Sequence, residues 1–461
     1  MKRSVAMLFL LVAVVLLIAA VDESSIKTAG SGQFRNSAED NAKTLINQGR
    51  HIFRFDTFGD EAFWTDALHI QQAVSTLSPQ TALTLGLKVD AQALSPSVIQ
   101  AIKLGKVNLT DPAVTLALLK QNAVVGVVGT FDGDKLTRVG FTCALCHSTV
   151  DNSVAPGIGR RIDGQANHDL NVGAIVAAAP NLDPVVNLLR LAPQDASITA
   201  QDVRNVLQTW GPGRFDAELF LDGKAFNPQQ ITNGITTGTN VSGSTLIPNA
   251  YGLPGHNLHT WTGGWGTVSY WNAFVAVNEL HGIGTFFDER FDDASQFPIA
   301  AAAKLGHISV DPDSDQVTKK LPALHLYQLA LPALRPRPGI DFDTAAAARG
   351  DELFSGKANC NSCHHEPLWS EPGWNQHSAE EMKIDSFEAD RSPGHAYQTM
   401  NLAGLFVRER GLFMFPQNKG GFYHDARFKT LMDVVNSYDD RFHLGLTDQE
   451  KQDLVEYLKS L

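Results

Sequence analysis

The sequence predicts a mainly α-helical chain of two unequal domains, the first elaborated by a β-hairpin and a long irregular insertion. Three observations carry this reading. The pattern Cys-x-x-Cys-His occurs twice, at Cys143, Cys146 and His147 and at Cys360, Cys363 and His364, and uses every cysteine of the 461 residues. Capped amphipathic segments flank the second copy at 343–354 and 446–461. Ahead of the first copy, β-rich runs at 123–131 and 135–141 enclose Asp132, Gly133 and Asp134, which is a hairpin signal.

The motif is the attachment pattern of c-type haem. Two thiols three positions apart reach the two vinyl groups on one porphyrin edge, and the next residue presents an imidazole to the iron. A structural zinc site would gather all four thiolates or add histidines at finger spacing, but these pairs lie more than two hundred residues apart. A redox dithiol is expected once, near a βαβ pattern and without the histidine. Two covalently attached haems are therefore expected, with His147 and His364 as iron ligands, in two cytochrome c-like haem domains.

Along the chain, Lys2 and Arg3 followed by an apolar run over 5–21 read as a signal peptide, with an uncleaved N-terminal anchor as the alternative. Either way the product is periplasmic or otherwise extracytoplasmic, soluble or N-terminally anchored. Residues 22–48 read as a flexible tether. The first haem domain spans 49–330. Its 60–122 region is expected to be helical, with Ser95-Pro96 and Asp111-Pro112 opening two of the segments. Residues 222–268, rich in Gly, Thr, Asn and Pro, read as an irregular insertion, either a lid over the first haem or a long surface connection. The proline-rich stretch 331–340 is a stiff linker. In the C-terminal domain, 341–461, Asp343 caps a helix carrying Gly350, Leu353 and Phe354 on one face. Thr447 and Glu450 form a capping box for a closing helix with an apolar stripe of Leu454, Val455, Leu458 and Leu461. These two helices should cross, with Gly350 permitting close approach.

The balance of 37 basic and 49 acidic residues, a net charge of −12, argues against nucleic acid as a partner and suits either simple solubility or a small redox protein with a basic face. A membrane is a partner only if the N-terminal segment stays uncleaved. A short internal echo relates Phe286, Phe287, Asp288, Arg290 and Phe291 to Tyr423, His424, Asp425, Arg427 and Phe428, each group downstream of its own haem motif. Asp288 with Arg290, and Asp425 with Arg427, read as structural pairs bracing the two pockets.

Taken together, Arg349-Gly350, Tyr397 to Leu402, the Phe422 to Asp425 run, Leu431 to Val435 and the closing helix resemble the bacterial di-haem cytochrome c peroxidase family, which includes the quinone-maturing di-haem enzyme and, distantly, rubber oxygenase. The N-terminal half matches only through its haem motif and the Asp288 and Arg290 element. The resemblance implies that one haem takes electrons from a donor and the other meets peroxide or oxygen. It places a distal ligand fourteen positions after His424, where Tyr438 stands in place of the usual methionine. Met400, Met432, Met414 and His424 are the competitors for that position, and a core tyrosine is the alternative. At the first haem Arg160 stands where the family often has a distal histidine, and Ala301 occupies the position equivalent to Tyr438, so that site is expected to be open. Arg160 and Arg161 are candidates to stabilise bound peroxide or, alternatively, to neutralise haem propionates. His168, close by, is the alternative for that distal position but reads as a solvated loop side chain, and Asp163 and Glu279 as possible proton carriers. Trp210, Trp261, Trp265 and Trp271 are candidates for packing or for electron transfer between haems. The family often binds calcium, but the Asp311, Asp313 and Asp315 loop lacks the glycine and glutamate of a calcium loop and reads as solvated.

The leading functional reading is an exported di-haem c-type cytochrome acting as an oxidoreductase. Haem 2 relays electrons from a small redox protein or other donor, and haem 1 reduces peroxide or activates oxygen, with a small organic molecule as a further possible substrate. The alternative is a non-enzymatic electron carrier with both irons six-coordinate. A haem-based sensor would need an output domain, and no segment of the sequence reads as one.

Overall fold

A computed structural model describes residues 37–224 and 243–461. The chain is mainly helical, with small two-stranded sheets. Helix α1 (Ala38–Phe55) begins where Ser37 accepts a hydrogen bond from the Asp40 amide, with Glu39 and Asp40 in its first turn. Residues 38–48, read from sequence as part of a tether, are thus the first turns of a helix. The reason is packing: Ile46, Ile52 and Phe53 give α1 an apolar face that joins an interior cluster, a face that a window centred on the polar 22–40 stretch does not reveal.

Helices α2 (Ile70–Ser75), α3 (Pro79–Thr84), α4 (Pro96–Lys103) and α5 (Pro112–Lys120) follow, the last three each with Pro at the first helical position and a Ser or Asp cap. Strands β1 (Val127–Asp132) and β2 (Lys135–Phe141) form the hairpin, with an irregularity at Thr130 and Phe131. Cys143 stands two residues beyond β2, at the head of the one-turn helix α6 (Ala144–His147). Helices α7 (Val172–Ala177) and α8 (Ala200–Trp210) lie against the same core, which runs from Leu68 to Ile299.

Helix α9 (Val268–Phe274) passes directly into a π-helical turn, Val275–Glu279, and the aromatics Trp265, Phe274, Phe286, Phe291 and Phe297 pack around it as a second core. Helix α10 (Leu321–Leu329) closes on α1 so tightly that a Cβ on Gly49 would sit 1.9 Å from the Ala323 carbonyl oxygen. After the extended 331–337 stretch, α11 (Thr344–Ser355), α12 (Leu405–Arg410), α13 (Leu431–Phe442) and α14 (Asp448–Ser460) surround a third core containing Phe354, Leu431, Val435 and Leu454. Helices α11 and α14 cross at Gly350, where a Cβ would stand 2.1 Å from the Asp453 carbonyl, and Arg349 pairs with Asp453 beside that crossing at 2.6 Å.

The 222–268 insertion is described in part, since 225–242 lie outside the described residues. Its Thr245–Leu246 strand pairs with Arg214–Phe215, and residues 245–251 and 258–261 line the cavity on which both motifs open. No helix among the described residues is long and apolar enough to cross a membrane, and the 1–21 segment lies outside them. The repeated elements behave alike: Arg290 Nε donates to Asp288 at 2.9 Å and Arg427 Nε to Asp425 at 3.0 Å. In the 311–318 loop the carboxylates are taken up by local groups, Asp315 accepting from the Val317 and Thr318 amides at 2.8 Å each.

Candidate functional site

Both Cys-x-x-Cys-His motifs open on one cavity of about 720 Å³. Cys143, Cys146, His147, Cys360, Cys363 and His364 all line it. The two histidines are held in the same way. His147 Nδ1 donates to the Pro248 carbonyl at 3.1 Å, and His364 Nδ1 donates to the Trp369 carbonyl at 2.8 Å. With Nδ1 engaged, the tautomer is set and Nε2 is the nitrogen left to act as a ligand. Burial drives His147 down to about 4, so the ring is a neutral donor at physiological pH. Burial also pushes the Cys143 and Cys146 thiols up to about 12 and Cys360 to about 11.

The donor set and its surroundings fit covalent haem. Apolar side chains such as Leu68, Val172, Leu207, Leu431 and Val435 supply flat, water-excluding walls. Arg408 faces the cavity fully buried, and its Nε and Nη2 have no hydrogen-bond partner among the described residues. Burial lowers that guanidinium to about 10, so it calls for an anion, which the carboxylates of a haem would supply.

Tyr438, on α13, lines the cavity close enough to Cys360 to interact with it electrostatically, and burial pushes its phenol far above the usual range. The Arg441 guanidinium lies 4.6 Å from its ring centroid. Of its competitors, Met400 and His424 reach the cavity, whereas Met432 and Met414 do not. The Met400 backbone interacts with His364, which sets that residue on the side of the motif histidine. His424 stacks on Tyr397 at 5.1 Å with Nε2 unpartnered among the described residues.

Arg160 and Arg161 do not reach the cavity, which corrects their candidacy for peroxide binding. The exposed Arg160 donates to Asp151 at 2.8 Å, and Arg161 is turned to Asp90 at 3.0 Å with its guanidinium over the Phe55 ring. The strand Arg161–Asp163 pairs with Ser148–Val150 directly after the motif, yet both guanidinium groups are turned to carboxylates outside the cavity. Asp163 is used up elsewhere as well, accepting from Arg54 at 2.6 Å and from Ser148 at 2.7 Å. His168 also departs from its expected place in solvent: it is buried, lines the cavity, and has an unpartnered Nε2. Burial beside Arg408 and Lys88 drives its pKa well down. Trp210, Trp261 and Trp271 line the cavity, and Trp265 instead donates to Glu218 Oε1 at 3.1 Å.

An acidic wall that sequence reasoning missed, apart from Glu279, stands beside the first motif. Glu218, Glu279 and Glu388 all line the cavity, and each has one carboxyl oxygen without a hydrogen-bond partner among the described residues, that of Glu388 lying 4.0 Å from Arg391. Glu279 lies close enough to Cys146 to raise its thiol. The buried cation Arg391 beside them is engaged by Asp216 and Asp222 at 2.8 Å each. Burial pushes Glu218 up to about 7, and burial together with Glu218 pushes Glu279 and Glu388 well up, so the wall holds protons near neutrality. The signal available in the sequence was faint: three acids, Asp216, Glu218 and Asp222, spaced through an otherwise apolar run.

No family model matches the chain. The chain is similar to a cytochrome-c peroxidase. That protein, IdrP1 of Denitromonas iodatirespirans, is 30% identical in an alignment of 157 residues covering 26% of this chain and 40% of the relative. The chain thus covers less than half the length of the curated relative it matches. Among solved structures, hydrazine synthase of Kuenenia stuttgartiensis is 19% identical over 49% of this chain and 75% of that one, with a TM-score of 0.27, a likeness too slight to bear on fold or function.

Proposed function

We propose that the chain is an exported di-haem c-type cytochrome acting as an oxidoreductase, with the haem at Cys143, Cys146 and His147 meeting peroxide or oxygen and the haem at Cys360, Cys363 and His364 relaying electrons to it. One observation carries the reading: the two motifs share a single cavity, and in each the histidine is tied through Nδ1 so that Nε2 is the free donor. The similarity to a cytochrome-c peroxidase supports peroxide as the oxidant and a small redox protein as donor.

Bound haem would supply one-electron chemistry at iron and, where a coordination position is open, a place for the oxidant. The chain's residues do the rest. His147 and His364 would ligate the irons through Nε2, Tyr438 would be available as a further ligand at the second motif, and Arg408 would neutralise propionate charge. Peroxide reduction to water consumes two electrons and two protons. Glu279 and Glu218, protonated beside Cys146, stand as the proton source, and Trp271 and the apolar lining limit water.

The test is haem stoichiometry followed by carbon monoxide binding. Denatured wild-type protein is expected to retain two covalent haems, and the Cys143→Ala, Cys146→Ala double variant one. Carbon monoxide is expected to bind one reduced haem per wild-type chain and none in that variant, with loss of peroxide turnover. Binding that persists there and vanishes in the Cys360→Ala, Cys363→Ala double variant would reverse the two roles. A protein that binds no carbon monoxide at all is an electron carrier.

A further inference from the structure

A second cavity, of about 100 Å³, lies under the helices that precede the hairpin. Val74 of α2, Val98 and Ile102 of α4 and Val114 of α5 form much of its wall, and Phe141 and Ile175 close it on the inner side. Lys88 and Thr115 are the only lining residues with polar side chains, and the Lys88 ammonium is turned to Asp169 at 2.5 Å. The space is large enough for a water molecule, but a buried water needs two to four polar partners, and this wall does not offer them. An apolar guest suffers no such loss.

Phe141 and Ile175 also line the main cavity, so these two side chains are the partition between the two spaces. Phe141 ends β2 two residues before Cys143, which puts that partition at the first motif and not the second. A guest that slips past the two rotors enters the main cavity on the side of Cys143 to His147.

We propose that the small cavity binds an apolar molecule of the size of dioxygen and passes it to the first haem site. Peroxide is a poor guest here, because its two hydroxyl groups would be stripped of hydrogen bonds in an aliphatic chamber. The small cavity is therefore a route for the gas, and peroxide would enter the main cavity directly. The passage step rests on the reading of Cys143, Cys146 and His147 as a haem site, and the binding step does not.

Crystals of the holoprotein pressurised with krypton test the binding step, and flash photolysis of the carbon monoxide complex tests passage. A krypton peak between Val98 and Val114 is expected. Val98→Phe, which fills the space, is expected to remove that peak and to slow carbon monoxide association with the reduced protein at least threefold, with both haems retained. Val114→Met serves the same purpose if the phenylalanine variant fails to fold. An empty wild-type cavity under krypton overturns the proposal, as does an unchanged association rate in a folded variant that has lost its krypton. Krypton bound in a protein whose haems take no carbon monoxide would uphold the binding site and defeat the haem assignment instead.

Discussion

Tyr438 is the residue on which the proposed division of labour between the two motifs turns. It lines the cavity on α13 near Cys360, with Arg441 over its ring, and it has no equivalent at the first motif, where Ala301 stands in the corresponding position. Tyr438→Phe is expected to change the absorption spectrum and potential of haem 2 while sparing haem 1. An unchanged spectrum would return Tyr438 to a packing role and leave His424, with its unpartnered Nε2, as the candidate. Glu218 offers a second test at this scale, through pH. Its folded pKa of about 7 lies above the ordinary value of 4.5, so between these limits the native state keeps a proton that the unfolded chain has released. Stability therefore falls as pH rises through that window, and is fully present below it. Glu218→Gln is expected to flatten part of that fall in melting temperature between about pH 4.5 and 7; an identical slope in the variant would mean the side chain is ionised throughout.

The crossing of α11 and α14 shows what an element's pattern can and cannot say. Asp343, Gly350, Thr447 and Glu450 announce two capped helices that meet at a glycine, because caps and a single small residue in a helical face are local signals. In the structure Thr447 accepts from the Glu450 amide, and the Glu450 carboxylate from the Thr447 amide at 2.7 Å. Gly350→Ala gains about 1 kcal/mol of helix propensity but drives a methyl against the Asp453 carbonyl, so a net loss of about 2 kcal/mol is expected in urea unfolding. A stabilised variant would show that the helices cross more loosely. The hairpin before Cys143 was legible for the same reason, since its turn residues and alternation are adjacent in sequence. The first turns of α1 were not, because their apolar face has meaning only against α10. Arg160 failed as a candidate on similar grounds: its position after the motif is a sequence relation, while the direction of its side chain is decided by Asp151.

At the scale of the whole molecule, the six motif residues that line the cavity were readable because the motif is short and self-contained. The acidic wall and Arg408 were not, since they come from segments far apart and become a site only on folding. Arg391 is the clearest case. It is wholly buried, donates to Asp216, Asp222 and the Gly243 carbonyl, and so ties the region around 391 to segments more than a hundred residues earlier. Arg391→Gln would leave two buried carboxylates without their cation, and a loss of about 3–5 kcal/mol in unfolding free energy is expected. A loss below about 1 kcal/mol would mean that protonation of the aspartates, or water, replaces the guanidinium.

The two haem motifs differ in one respect that bears on how the protein is made. The carbonyl that orients His364 is five residues away, whereas the one that orients His147 is 101 residues further along the chain. As the polypeptide folds, the second imidazole can find its partner as soon as its own loop is free. The first must wait for Pro248. Maturation of the two centres is then unequal in time: the motif reached first in synthesis is the later to acquire its final geometry, and the intervening stretch is a window in which that imidazole is still free to rotate.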